Sequence, residues 1–283
     1  MLENITYSHE HIVLDLSKGK NNKDCYLNVY EEALDELRML RDKGVTRIVD
    51  CSNRGMGVDW KTNKKIEEEI GIKIINATGY YKDPFLPSEV NEKTIEQLSQ
   101  IMISDLNNGA EIIGEIGTSL NEMTNNENKV FEAACIAQMK TNCIIITHTT
   151  LGTYAKEQVQ FFKDRNINLR KIIISHVALS KDFDMILELV KQGVNVAFDT
   201  IGKEKYCVDD IQADYIKRLI ELGYEKQILM SMDCTRQSHL KKNGGHGFSY
   251  LIDIFVPLLK EKGITENSLQ QIMCNNFTEI MEA

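Results

Sequence analysis

At 283 residues, with 42% hydrophobic and 27% charged positions, the chain can bury a substantial core without staples, and α/β barrels reach this length as one domain. Its net charge of −9 argues against nucleic acid or an anionic membrane as the main partner. No apolar run approaches the ~20 residues that span a bilayer, no signal peptide opens the chain, and the seven cysteines are scattered without a C-x-x-C pair, which points to a reducing, cytoplasmic compartment.

The stretch Tyr7-Ser8-His9-Glu10-His11-Ile12-Val13-Leu14 reads as a short buried strand, with Ile12, Val13 and Leu14 as its apolar run. Residues two apart on a strand share a face, so His9 and His11 present two imidazoles together with Glu10 turned away. That pair is half of a metal site, or else two histidines hydrogen-bonded to loop carbonyls; the rest of the chain has to decide. A polar, turn-prone stretch over 18–28 follows, then a helix over 29–43 that stops at Gly44. Strands over 47–51 and 72–80 flank a charged amphipathic helix over 58–70. The rhythm continues with helices over 94–106, 128–140, 154–165, 183–192, 209–222 and 249–262, and strands over 111–116, 143–148, 171–176, 195–199 and 227–233. A tail helix from Glu266 closes the chain.

Gly44, Gly71, Gly193, Gly223 and Gly263 serve as helix stops. The strands are continuous apolar runs, as buried parallel strands are. Eight strand-then-helix units without a linker predict a single-domain (β/α)₈ TIM barrel over residues 1–283. An open doubly wound sheet would carry a glycine-rich phosphate turn after its first strand, where this chain has His-Glu-His.

Active sites of such barrels lie at the C-terminal ends of the strands. Those ends carry His9 and His11 on strand one, Glu115 on strand four, His148 on strand five, His176 on strand six and Asp233 on strand eight. Four of the six histidines therefore fall at strand ends, joined by two carboxylates. Six ligand-type residues overfill a tetrahedral site, whereas two metals sharing one carboxylate fit the count.

With this pattern the chain resembles the amidohydrolase superfamily, more closely its phosphotriesterase family, and within that the branch of phosphotriesterase homology proteins. The resemblance covers essentially the whole chain. It includes Asn21-Asn22-Lys23-Asp24-Cys25, Asn53-Arg54-Gly55-Met56-Gly57, Thr78-Gly79-Tyr80-Tyr81, Gly114-Glu115-Ile116-Gly117-Thr118-Ser119 and Phe198-Asp199-Thr200-Ile201-Gly202-Lys203. Its longest piece is Leu229-Met230-Ser231-Met232-Asp233-Cys234-Thr235-Arg236-Gln237-Ser238-His239-Leu240-Lys241. The resemblance implies two divalent cations. His9, His11 and Asp233 would hold the buried one, His148 and His176 the more exposed one, and Glu115 would bridge them. Phosphotriesterases proper use a carboxylated lysine on strand four; the glutamate here matches the homology-protein branch and weakens any transfer of phosphotriester specificity. Dimers are common in the family, so the resemblance also implies a homodimer.

Two such metals lower the pKa of a shared water, whose hydroxide attacks a carbonyl or phosphoryl centre. Asp233 is then the catalytic proton acceptor, with Glu115 as the bridge. Zinc is the first expectation from the histidine-rich shell, with manganese, cobalt and iron as alternatives. Tyr80, Tyr81, Lys203, Lys205, Arg236 and His239 are the candidate substrate-binding residues. The basic ones suit an anionic small molecule, for which Arg in particular supplies bidentate contacts; the competing reading makes them solvated loop residues. Asn243-Gly244-Gly245-His246-Gly247 lacks the Lys-Ser/Thr of a P-loop and reads as a flexible rim loop. The expected activity is hydrolysis of an ester, a lactone or phosphorylated sugar lactone. The alternatives are C–N bond hydrolysis and a non-catalytic metal- or ligand-binding barrel.

Overall fold

The computed structural model describes residues 2–283. Eight strands follow one another in a single parallel sheet: β1 (Ile5–Glu10), β2 (Val45–Asp50), β3 (Lys73–Thr78), β4 (Ile112–Thr118), β5 (Ile144–Thr149), β6 (Ile172–Ile174), β7 (Asn195–Phe198) and β8 (Ile228–Met230). Each pairs with its sequence neighbour, as short right-handed βαβ crossovers dictate. The principal helices are α1 (Leu34–Asp42), α2 (Trp60–Ile70), α3 (Ile95–Asn107), α4 (Asn125–Thr141), α5 (Ala155–Asp164), α6 (Phe183–Lys191), α7 (Asp209–Glu221) and α8 (Val256–Glu261), the last continuing a π-helical turn at Leu251–Phe255. The architecture is the expected (β/α)₈ barrel. No described helix is long and apolar enough to cross a membrane.

The apolar strands split by alternation. Val49, Ile75, Ile112, Ile144, Ile146, Ile173, Ala197 and Leu229 fill the barrel interior, while Ile48, Ile74, Ile113, Ile145, Ile172, Val196 and Ile228 pack under the helices. Phe277 and Ile280 of the C-terminal helix join the interior cluster and plug the barrel floor. Side chains tie β1 to β8. Ser8 Oγ donates to the Met230 carbonyl at 3.1 Å, and the Glu10 carboxylate accepts from Ser231 Oγ, the Met232 N–H and the Cys234 N–H at 2.7–2.9 Å. Glu10 is thus turned away from His9 and His11, as alternation requires, and serves the closing seam.

Several local expectations need correction. Ile12, Val13 and Leu14 are not the barrel strand: β1 is Ile5–Glu10, and Val13–Asp15 pairs antiparallel with Tyr26–Asn28 in a separate ribbon over the first βα loop. The cause is a bulge. Tyr7 pairs with Ile48 and Glu10 with Asp50, so three steps on β1 match two on β2. The extra residue lets Ile5 and Tyr7 face the helices while His9 and His11 turn inward. The expected helix over 29–43 is broken at Ala33, whose φ of −144° ends one short turn before α1 begins.

A second bulge lies on β4, where Ile113 pairs with Ile145 but Ile116 with Thr147. The inserted residue aims Glu115 into the barrel. Gly114, at φ +150°, lies so close to β5 that a Cβ would come within 2.7 Å of the Ile146 carbonyl oxygen. Both irregularities therefore occur where a functional side chain is re-aimed.

Candidate metal centre

At the C-terminal mouth of the barrel the six expected residues converge. His9 Nε2 lies 3.4 Å from Glu115 Oε2 and 3.9 Å from Asp233 Oδ1; His11 Nε2 lies 3.6 Å from Glu115 Oε1 and 3.3 Å from Asp233 Oδ1. On the other side of Glu115, His148 Nδ1 and His176 Nε2 each lie 3.3 Å from Oε2 and 2.9 Å from one another. Two ligand clusters, His9–His11–Glu115 and Glu115–His148–His176, share one carboxylate.

These residues fit a pair of divalent cations on their own chemistry. His9 Nε2 and His11 Nε2 are buried with no hydrogen-bond partner, a costly arrangement for a ring nitrogen unless its lone pair is given to a metal. The opposite nitrogens are held: His11 Nδ1 contacts Ser52 Oγ at 3.0 Å, and His9 Nδ1 contacts Ser175 Oγ and Asp199 Oδ2, both at 3.1 Å. Burial pushes the His148 imidazole down to about 4, which leaves a lone pair free, whereas against burial the Asp199 carboxylate raises His176 to about 9, so that ring would give up a proton on binding a metal. Burial alone would raise Glu115, but the imidazoles of His9, His148 and His176 hold it well below the usual carboxylate range.

Asp199, at the end of β7, was not singled out in the sequence as a site residue. It is fully buried, and its Oδ1 accepts from both Nδ1 and the backbone N–H of His176 at 2.9 Å while its Oδ2 faces His9 Nδ1. One carboxylate thus orients a histidine of each cluster. A carboxylate behind a ligand histidine fixes its tautomer and raises its basicity. Asp199→Asn is expected to weaken metal binding about 10–100-fold, the range for such outer partners; chelator competition checks this, and unchanged affinity would remove the role. The available signal was position, since Asp199 ends a predicted strand just as Asp233 does.

The cleft above the clusters is about 690 Å³. A model of the phosphotriesterase family matches residues 3–281. The chain belongs to the phosphotriesterase family. It is 35% identical over 284 residues to the phosphotriesterase homology protein of Escherichia coli K12, covering 98% of this chain and 97% of that one. The crystal structure of the E. coli homology protein, with phosphate in its active site, matches with a TM-score of 0.96 at 34% identity over 99% of each chain. The N-acetyltaurine hydrolase of Dictyostelium discoideum is 31% identical over 293 residues, covering 97% of this chain and 79% of that protein. A lactonase from Listeria monocytogenes matches at 27% identity with a TM-score of 0.92, covering 98% of this chain and 94% of its own. As a member of this family of hydrolases, with clusters able to hold metal, the chain is an enzyme, a metal-dependent hydrolase.

The family's cleft divides the expected substrate residues. Tyr81 lines it, with its OH 3.3 Å from His148 Nδ1. Tyr80 does not: it is fully buried on the outer side, near Arg54, Glu89 and Asp105, because adjacent residues of an extended chain point opposite ways. Lys203 reaches Asp233 Oδ2 in a direct ion pair, and Arg236 pairs with Asp24 at 3.5 Å. Lys205 and His239 line the cleft, and burial pushes the His239 imidazole down to about 4. His246 lies at the rim against Tyr250, ring centroids 4.5 Å apart.

The rim loop after β8 is not free. Asp24 accepts from the Ser238 N–H and Oγ at 2.8 and 2.7 Å, Glu32 pairs with Lys242 at 2.8 Å, and Glu36 accepts from the Lys241 and Phe248 N–H groups at 2.8 and 3.0 Å. Carboxylates of the first βα connection and α1 thus hold the segments on either side of Asn243–Gly247.

Proposed function

We propose that this protein hydrolyses the ester bond of a small anionic molecule, a lactone or phosphorylated sugar lactone, with two divalent cations, zinc first among manganese, cobalt and iron. The observation that carries this reading is the pair of clusters sharing Glu115 beneath a cleft with lysines and an arginine in its walls. His9, His11 and Asp233 would hold one ion, His148 and His176 the other, and Glu115 both. When bound, such ions acidify water and polarise a substrate oxygen.

The chain's own residues supply the rest. Asp233 presents Oδ1 to His9 and His11 and Oδ2 to Lys203, so one oxygen faces the reacting side while a cation supports the other. Burial would raise Asp233, but Lys203 and His11 hold it well below the usual carboxylate range, so it is ionised, and a proton it accepts from the attacking water would be held weakly and passed on readily. It can then deliver that proton to the leaving group. Lys203, Lys205, Arg236 and His239 form the wall that meets the substrate's anion. Tyr81 fixes the His148 side of the cleft. A homodimer in the cytoplasm is part of the reading; all seven cysteines are free and buried, in keeping with a reducing compartment.

C–N hydrolysis is the second reading. It is favoured by the N-acetyltaurine hydrolases, whose similarity covers 97% of this chain in the Dictyostelium protein. The test is a panel of lactones, phosphorylated lactones, N-acetyltaurine and N-acyl amino acids, offered to the metal-reconstituted enzyme. The ester reading predicts the highest kcat/KM on a lactone that carries an anion. A higher kcat/KM on an amide would replace it with the second reading.

A further inference from the structure

Two of the cations expected to meet the substrate's anion already have carboxylate partners, Lys203 with Asp233 and Arg236 with Asp24. The opposite wall differs. Lys82, half-buried directly after Tyr81, and Lys20, in the short helical turn Ser17–Lys20 of the first βα connection, both line the cleft. Their Nζ atoms lie 5.8 and 5.7 Å from the centroid of one ring, Phe85. The only hydrogen bond of Lys82 Nζ is to the Asp83 carbonyl at 2.9 Å, and among the described residues neither lysine has a carboxylate within 4 Å.

The nearby carboxylates are engaged elsewhere. Asp83 accepts from Thr124 Oγ1 at 2.6 Å. Glu127 accepts from the Asp83, Ser119 and Thr124 N–H groups and from Ser119 Oγ. Burial lowers the Lys82 ammonium from its usual range and Lys20 adds to this, despite attraction from Glu127 and Glu115. Two ammonium groups beside one aromatic ring, neither with a carboxylate in direct contact, repel one another, and an acid anion that reaches both would relieve that. Gly19 lies so close that a Cβ there would come within 2.6 Å of Phe85 Cε1, so the ring sits directly against the turn that carries Lys20.

We propose that Lys20, Phe85 and Lys82 form a second anion subsite, which takes a carboxylate, sulfonate or phosphate at the end of the substrate facing β3. This deepens the hydrolase reading and rests on it for the identity of the cleft. It makes the substrate class a compound with an acid group on that side of the hydrolysed bond, in addition to any charge it presents to Lys203, Lys205 and Arg236. The apolar part of such a substrate would lie across Phe85.

The test is isothermal titration of the metal-loaded enzyme with succinate, glutarate and adipate, with butyrate as the single-charge probe. At least one dicarboxylate is expected to bind about tenfold or more tightly than butyrate, as a charge-assisted contact in a partly buried site should allow. Lys20→Gln combined with Lys82→Gln should abolish that preference and leave butyrate affinity unchanged. Circular dichroism and metal content verify the fold, and each single variant should show part of the loss if the double variant folds poorly. A preference that survives in these variants, that disappears with Arg236→Gln instead, or that the wild-type enzyme lacks, overturns the subsite. The readout is binding, so it is independent of turnover: a dicarboxylate preference in an enzyme inactive on the whole panel would keep the subsite and dismiss the proposed lactone and amide substrates.

Discussion

Glu115→Ala is expected to reduce bound metal from two equivalents to one or none and to take hydrolysis down with it. Glu115 is the only residue in both ligand clusters, with Oε2 within 3.4 Å of ring nitrogens of His9, His148 and His176. Its removal leaves no carboxylate between the two clusters, with Asp233 remaining on the His9–His11 side alone, so two dications would lose the charge that lets them share that space. The loss in kcat should equal or exceed the ~10²–10⁴-fold that a general acid–base group contributes, because the metal's Lewis acidity goes as well. Metal analysis with steady-state kinetics on the best panel substrate checks it. A variant that keeps two metals and wild-type turnover would show that Glu115 bridges nothing.

Asp233→Asn is expected to lower kcat by ~10²–10⁴-fold, the range for a lost proton-transfer group, with a smaller change in KM. The choice of asparagine matters. Asp233 sits in the left-handed region at φ 48°, which asparagine tolerates and which alanine adopts only at a cost of about 1–2 kcal/mol. Asp233→Ala would therefore mix a chemical loss with a backbone one. In the asparagine variant the amide cannot accept a proton, and it faces Lys203 without a negative charge. Single-turnover kinetics on metal-reconstituted protein gives the chemical step; an unchanged rate there would assign proton transfer to another group.

Much of the barrel was legible because the physics is local: glycine stops at helix ends, continuous apolar runs for parallel strands, and strict βα alternation. Glu115, His148, His176 and Asp233 were readable as polar residues closing apolar strands. The first strand was misplaced because a bulge breaks the period-two pattern at Ser8 and His9, so the apolar run Ile12–Leu14 looked more strand-like than Ile5–Glu10. The two-residue spacing still turns His9 and His11 to one side, although His11 follows the end of β1. Tyr80 was misassigned because residues after a strand were treated as rim, when only one of two adjacent tyrosines can face the cleft.

Other features were not readable by any local rule. Asp199 contacts His9 across 190 positions of sequence, and Lys20 and Lys82 share Phe85 only because the first and third βα loops pack together there. The ion pairs of Lys203 with Asp233 and Arg236 with Asp24 likewise depend on loop packing, so positive residues near a site gave no indication of which were free. Pairwise contacts between loops decide which cleft cations are already paired, and the (β/α)₈ plan leaves those contacts open.

Two metal ions held by Glu115 and the five side chains around it are best tested by metal content per chain after reconstitution, measured by mass spectrometry of the native protein. The account predicts two equivalents in wild type. One equivalent or none in a folded, reconstituted protein would contradict it.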